Sequence, residues 1–272
     1  MLLAGLNNTT GNAIVEVYDR GAQGAGPGPS PTPGPSTTPG GTPAPSTTPG
    51  GTPVPTPPTT PTPPPASPTP SPTNCIESFD GVTAPALPAG WTGTVVAGDP
   101  PSWETSATGA DSPPNDLFVV DQNGVSDKTV DSRNITISST TSQLSFRNFF
   151  ATEYDPPVPG PEHFWDGYVL EVSTDGGTTF TDIIDAGGVF VSGPYVGEID
   201  ATAGNPLAGR PAWCGSSGGV VGSPVYIDTK INLPASMNGQ TIKLRFRMGT
   251  DEAASAPGVR VDGLTITGAA CP

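Results

Sequence analysis

The residues of this chain best suited to chemistry are carboxylates. Glu153, Asp155, Glu162 and Asp166 fall within EYDPPVPGPEHFWDG. Two such groups flanking a glycosidic bond could serve as acid and base, or as acid and nucleophile. Four acids in one Pro-rich loop of an acidic protein are equally what solvation produces, and the loop does not set the separation that hydrolysis needs. GSSGG at 215–219 matches the Gly-x-Ser-x-Gly nucleophile pattern. That pattern works on a strand-to-helix turn with a His later in the chain. Here the one His, His163, precedes Ser217, and no helical pattern follows Gly219. A single His without a partner His or a spaced Cys does not make a zinc site. DQNGVSD at 121–127 carries oxygen ligands, but its Gly is out of place for an EF-hand loop. The residue types favour binding over catalysis.

The elements that would position these groups are strands. NITISS, QLSFRNFF, GYVLEVST, GGVFVSG, VYIDTKINL, TIKLRFRM and VRVDGLTITG are short and rich in Val, Ile, Thr and aromatics. In TIKLRFRM, Ile242, Leu244, Phe246 and Met248 face one way, and Thr241, Lys243, Arg245 and Arg247 the other. That is a half-buried antiparallel strand. Asp175-Gly176-Gly177, Asn238-Gly239 and Asp262-Gly263 mark turns. The expected class is all-β, a two-sheet antiparallel jelly-roll sandwich.

One turn has a signature of its own. STDGGTTF, Ser173 to Phe180, reads Ser-x-Asp-x-Gly-x-Thr-aromatic. It resembles the Asp-box of sialidases and several other β-proteins. Each residue has a folding role: Asp175 accepts bonds from its own turn, Gly176 and Gly177 take positive φ, and Phe180 returns to cover the hairpin's apolar face. A sialidase propeller repeats the motif on several blades, and this chain holds it once. The stretch predicts a hairpin, not an enzyme.

Composition divides the chain. Of its 37 Pro, 20 lie between Pro27 and Pro72, and no charged residue occurs between Arg20 and Glu77. PSTTPGGTPA and PSTTPGGTPV at 35–44 and 45–54 repeat with period ten. Such a segment cannot offset its chain entropy by burial, so 23–74 reads as a disordered, extended Pro/Thr/Gly/Ser linker. Residues 1–22 read as strand, turn, strand, the remnant hairpin of a preceding domain in a larger multidomain chain. Residues 75–272 form the domain. They carry 23 acidic and 9 basic residues, a formal −14. That field repels phosphate backbones and argues against nucleic acid. No run approaches the length of a membrane span.

Cys75 opens the domain, Cys271 nearly ends it, and Cys214 stands alone in WCGSSGG. First and last strands of a sandwich are often neighbours, which predicts a Cys75–Cys271 disulfide and an oxidising compartment.

ESFDGVTAPALPAGW, WDGYVLEVSTDGGTTFTDI, NPLAGRPAWCGSSGG, GQTIKLRFRMGTD and VRVDGLTITGAAC follow in that order. Together they resemble a bacterial extracellular jelly-roll domain of the MAM-like or choice-of-anchor type, found C-terminally in secreted peptidases and surface proteins. The resemblance implies an accessory, non-catalytic, extracellular or cell-surface module. It also implies a structural calcium ion near the first and last strands, at Glu77, Asp80 and Asp262, with Asp166 as a further candidate. One departure is Arg260, where the family tends to carry an aromatic.

Sugar binding needs aromatic platforms beside polar groups. Trp91 and Trp213 sit in packing contexts, whereas Trp165, with Phe164, lies in the acidic loop. These two are the expected ligand-binding residues. The function expected is a non-catalytic binding or adhesion module for carbohydrate or cell-surface material. The alternatives are an accessory domain of a secreted peptidase or a purely structural surface module.

Overall fold

The computed structural model describes residues 73–157 and 162–272. The expected hairpin at 1–22 and nearly all of the linker at 23–74 lie outside the described residues. From Asn74 onward the described residues are strands, turns and loops, with one 3-10 turn among them at Ala235–Met237.

Two antiparallel sheets face each other. The first runs Val189–Ser192, Ile227–Asn232, Gln143–Ala151, Gly258–Thr267, Asp116–Val119 and Glu104–Ser106, with Asn74–Glu77 paired to Gly258–Thr267. The second runs Gly197–Glu198, Pro211–Cys214, Gly167–Ser173, Thr241–Thr250, Ser126–Asp131 and Thr92–Ala97. The alternation in TIKLRFRM is realised: Ile242, Leu244, Phe246 and Met248 are buried, while Lys243, Arg245 and Arg247 are half-exposed. The arginines pair with acids across the outer face, Arg247 with Asp127 at 2.7 Å and Arg245 with Asp131 at 2.6 Å.

Aromatic rings from both sheets meet in the core. Tyr168 lies 4.9 Å from Trp213, and Phe246 lies 5.5 Å from Phe146 and 5.9 Å from Trp103. Their polar ends are satisfied as burial requires. Trp213 Nε1 donates to the Gly193 carbonyl, Trp103 Nε1 to that of Lys128, and the Tyr168 hydroxyl to Asn148 Oδ1. Burial pushes the free Cys214 thiol up to about 12.

The first strand pairs with the last long one, Cys75 opposite Ile266. This places Cys75 beside Cys271, with Cα atoms 5.2 Å apart, and the two are disulfide-bonded. STDGGTTF is a hairpin tip: Thr178 and Thr179 amides donate to Asp175, and Gly176 and Gly177 hold φ of 80° and 96°. Phe180 departs from its expected role. The Arg245 guanidinium covers its ring at 3.6 Å, so it caps the charged outer face.

Candidate metal centre and aromatic platform

Three connections between the sheets converge at one end of the sandwich. Residues 120–125 lead from Asp116–Val119 to Ser126–Asp131, residues 152–166 from Gln143–Ala151 to Gly167–Ser173, and residues 251–257 from Thr241–Thr250 to Gly258–Thr267. The register sets these strand ends side by side. Gly258 faces Ala151 and Val259 faces Val119 in one sheet, while Gly167 and Asp127 both face Gly249 in the other.

Each connection delivers acids next to a strand end: Asp121, Glu153 and Asp166, and Asp251. Oxygens of Glu153, Asp166 and Asp251 lie within 4.8 Å of one another. Asp121 joins them through the backbone, its Oδ2 accepting the Glu153 amide at 2.9 Å and the Ala256 amide at 3.2 Å. Asp166 Oδ1 accepts the Asp251 amide at 2.7 Å.

The remaining oxygens decide what the cluster can do. Asp121 Oδ1, Glu153 Oε2 and Asp166 Oδ2 are buried with no donor from the rest of the protein, and Asp121 and Asp166 can bond to each other only by sharing a proton. None of the four acids forms an ion pair with a Lys, Arg or His among the described residues. A buried carboxylate left this way costs several kcal/mol, on the order of 1–3 even for a neutral group. Burial pushes the Asp121 and Asp166 carboxyls up, and their mutual proximity pushes Asp166 further. Burial, then the charges of Asp251, Asp121 and Asp155, raises Glu153 to about 7. A proton shared among these groups or a bound cation would relieve the strain. An all-oxygen donor set from carboxylates and loop backbone suits a hard cation such as Ca²⁺ and gives zinc or copper little to select.

The four expected calcium ligands are therefore divided. Asp166 belongs to this cluster. Glu77 accepts the Phe79 amide at 3.0 Å and pairs with Arg133 at 3.3 Å, which neutralises it. Asp80 accepts the Asn115 amide at 3.0 Å. Asp262 is buried and accepts the Ser112 amide at 2.7 Å and the Ser112 hydroxyl, and burial raises its pKa. Arg260, the departure noted in the sequence, pairs with buried Asp116 at 2.8 Å and covers the Phe118 ring at 4.4 Å.

Directly before Asp166 stands the aromatic platform. His163–Phe164 pairs with Tyr154–Asp155 as a small hairpin. His163 and Trp165 stack at 5.2 Å with planes 8° apart, and both are half-buried. Their polar edges are fixed, Trp165 Nε1 donating to Asp155 Oδ2 at 3.1 Å and His163 Nδ1 lying 2.9 Å from Asp200. Phe164 points the other way. Its ring stacks on Tyr154 and covers Gly197 and Gly215, where a Cβ would fall 2.3 Å and 2.9 Å from it. Phe164 anchors the hairpin against Tyr154, Gly197 and Gly215, while Trp165 and His163 stack on each other and leave one outer face each.

Ser217, the nucleophile candidate, is buried. Its hydroxyl donates to the Val225 carbonyl at 2.7 Å and accepts the Phe150 amide at 3.2 Å. Asp127 of DQNGVSD is taken by Arg247, which leaves Asp121 as that segment's contribution to the cluster. A cavity of about 300 Å³ lies elsewhere, against Asp182, Tyr195 and Arg210, and these polar groups bond to one another.

No known family profile matches the sequence, and no curated protein matches it. Solved structures do resemble it distantly. The K1 cleaved adhesin domain of Lys-gingipain from Porphyromonas gingivalis W83 aligns with TM-score 0.40 at 17% identity, covering 71% of this chain and 97% of that one. The K2 adhesin domain of Lys-gingipain gives 0.39 at 16%, covering 71% and 99%. A carbohydrate-binding module in complex with β-1,4-galactotriose gives 0.36 at 9%, covering 65% and 88%.

Proposed function

We propose that residues 75–272 are a non-catalytic, extracellular or cell-surface binding module that stacks carbohydrate on Trp165 and His163 and holds one structural Ca²⁺ at Asp121, Glu153, Asp166 and Asp251. The observation that carries the reading is a trio of buried carboxylate oxygens without a donor, one of them on Asp166, the residue next in the chain to a stacked, half-buried Trp165–His163 pair. Asp155 and Asp200 flank the pair and offer hydrogen-bond acceptors at its edge. This is the combination saccharide sites use, an apolar ring face with a few fixed polar groups. Phe164 serves as the anchor under the platform. The disulfide suits an oxidising location.

Binding to an array of neutral and acidic glycans in millimolar Ca²⁺ tests the reading. Retention of at least one glycan class, weakened at least tenfold by Trp165→Ala, is the expected result. No retention, or retention indifferent to Trp165→Ala, removes it.

A further inference from the structure

The small hairpin that carries the platform is bounded on both strands by acids of the cluster. Glu153 immediately precedes Tyr154–Asp155, and Asp166 follows His163–Phe164 by two positions. Between them the base is closed by backbone bonds: the Trp165 and Asp166 amides donate to the Glu153 carbonyl at 3.2 Å and 3.3 Å. Asn205 fastens the same point from a third segment. Its Nδ2 donates to the Trp165 carbonyl at 2.7 Å, to the Gly249 carbonyl at 3.0 Å and to Asp166 Oδ1 at 3.4 Å. Thr152 Oγ1 donates to the Asp166 carbonyl at 2.9 Å. The backbone of Trp165 is thus held by the same groups that aim the carboxylates.

We infer that a divalent cation held by Asp121, Glu153, Asp166 and Asp251 clamps the base of this hairpin, so that cation occupancy sets the affinity of the Trp165–His163 platform for a neutral saccharide. The inference rests on the binding reading above and adds its regulation and ligand class. Without a cation, the carboxylates gathered where the two hairpin strands leave the sandwich must either take up protons or repel one another, and whatever charge remains opposes closure. A cation reverses that sign. It touches the carboxylates, not the ligand, and acts by fixing where the two rings stand. Coupling of this kind is reciprocal: whatever factor the cation adds to saccharide affinity, the saccharide adds to cation affinity.

The charge around the platform selects the ligand class. Asp155 and Asp200 hold its edges, Glu162 adjoins it, and no Arg or Lys pairs with any of them among the described residues. The domain's net −14 adds a wider field of the same sign. Uronates and sulfated glycans are repelled, and neutral hydroxyl-rich sugars are not.

Two measurements on the whole chain test this. The first needs no saccharide: Ca²⁺ is titrated into the EDTA-stripped, ¹⁵N-labelled protein while the indole N–H signals are followed, with the Trp165 signal assigned by its loss in Trp165→Phe. The Trp165 signal should move, while those of buried Trp91, Trp103 and Trp213 stay. An unmoved Trp165 signal on saturation with Ca²⁺, or no Ca²⁺ binding at all, overturns the inference. The second compares affinity for the neutral oligosaccharide selected by the array in Ca²⁺ and in EDTA, and for Asp251→Asn in Ca²⁺. At least tenfold weaker binding in EDTA and in the variant is expected, with Ca²⁺ affinity raised by the same factor when saccharide saturates. Equal affinity in Ca²⁺ and EDTA overturns the coupling and leaves the binding reading standing. No saccharide bound in Ca²⁺ removes both. Preference for galacturonan or sulfated glycans overturns the neutral class.

Discussion

Asp121 and Asp166 meet as two buried carboxylates from different sheet connections, with no basic side chain paired to either among the described residues. Asp121 follows the strand Asp116–Val119, and Asp166 precedes Gly167–Ser173 in the opposite sheet. The fold brings like charges together at the point where its two layers are joined. On the proposed reading, the stability of this end of the sandwich depends on pH and on cations.

The pH dependence has a definite sign. Glu153 rises from 4.5 to about 7 in the folded chain, and Asp121 and Asp166 rise as well, burial being the main cause in each. A carboxyl raised on folding contributes stability that is fully present below its unfolded pKa and is lost as pH climbs through the folded one. The EDTA-treated domain should therefore melt at a lower temperature at pH 8 than at pH 5. Millimolar Ca²⁺ should flatten the decline, because the cation takes the place of the protons. Calorimetry across this range checks both, and a melting temperature that rises from pH 5 to 8 in EDTA would contradict the assignment.

Gly249 leaves room that the site uses. A Cβ there would fall 2.4 Å from Asn205 Oδ1 and 2.9 Å from the Leu207 side chain. Asn205 would have to release Trp165 and Asp166 together. Gly249→Ala should cost about 1–3 kcal/mol, as overpacking does, and should weaken Ca²⁺ binding as well. Chemical denaturation and calcium titration of the variant measure the two effects.

Lys128 is the reverse case, a buried amine with no hydrogen bond or ion pair among the described residues, the charges of Asp99 and Glu104 acting on it only from a distance. It pairs in register with Met248 on Thr241–Thr250, and its Nζ has no hydrogen bond. Burial lowers its pKa. Lys128→Met keeps the length of the side chain and removes the buried amine that has no hydrogen bond. A gain of about 1–2 kcal/mol is expected, because a buried unpaired polar group is costly. Urea unfolding reads it directly, and destabilisation would show that the amine has a partner in solution.

The sandwich was legible because its signals are local. Alternation in TIKLRFRM sorted Leu244 and Phe246 inward and Arg245 and Arg247 outward, as the folded chain has them. Asp175 in STDGGTTF satisfies its own turn, and Cys75 reaches Cys271 because first and last strands adjoin. Of the carboxylate cluster, Asp166 alone stood among the expected calcium ligands, and Asp121 entered only through DQNGVSD. Asp121 and Asp251 are 130 positions apart by their numbers, and Glu153 stood out only as one acid in a crowded loop. Their common feature is position, each lying within two residues of a strand end at the same end of the sandwich. That shows only once the register is known. Phe164 and Trp165 were inseparable in sequence for a related reason, since only the folded chain stacks Phe164 on Tyr154 and Trp165 on His163.

Ca²⁺ binding by Asp121, Glu153, Asp166 and Asp251 underlies both the metal centre and the clamp proposed on the Trp165 platform. Calorimetric melting of the chain in EDTA and in Ca²⁺ at about 100 times the dissociation constant should show stabilisation of about 2.7 kcal/mol, or about 5–10 °C for a domain of this size. Asp166→Asn should abolish most of that difference. An identical melting temperature in EDTA and in millimolar Ca²⁺ would contradict the metal centre, and with it the clamp on the Trp165 platform.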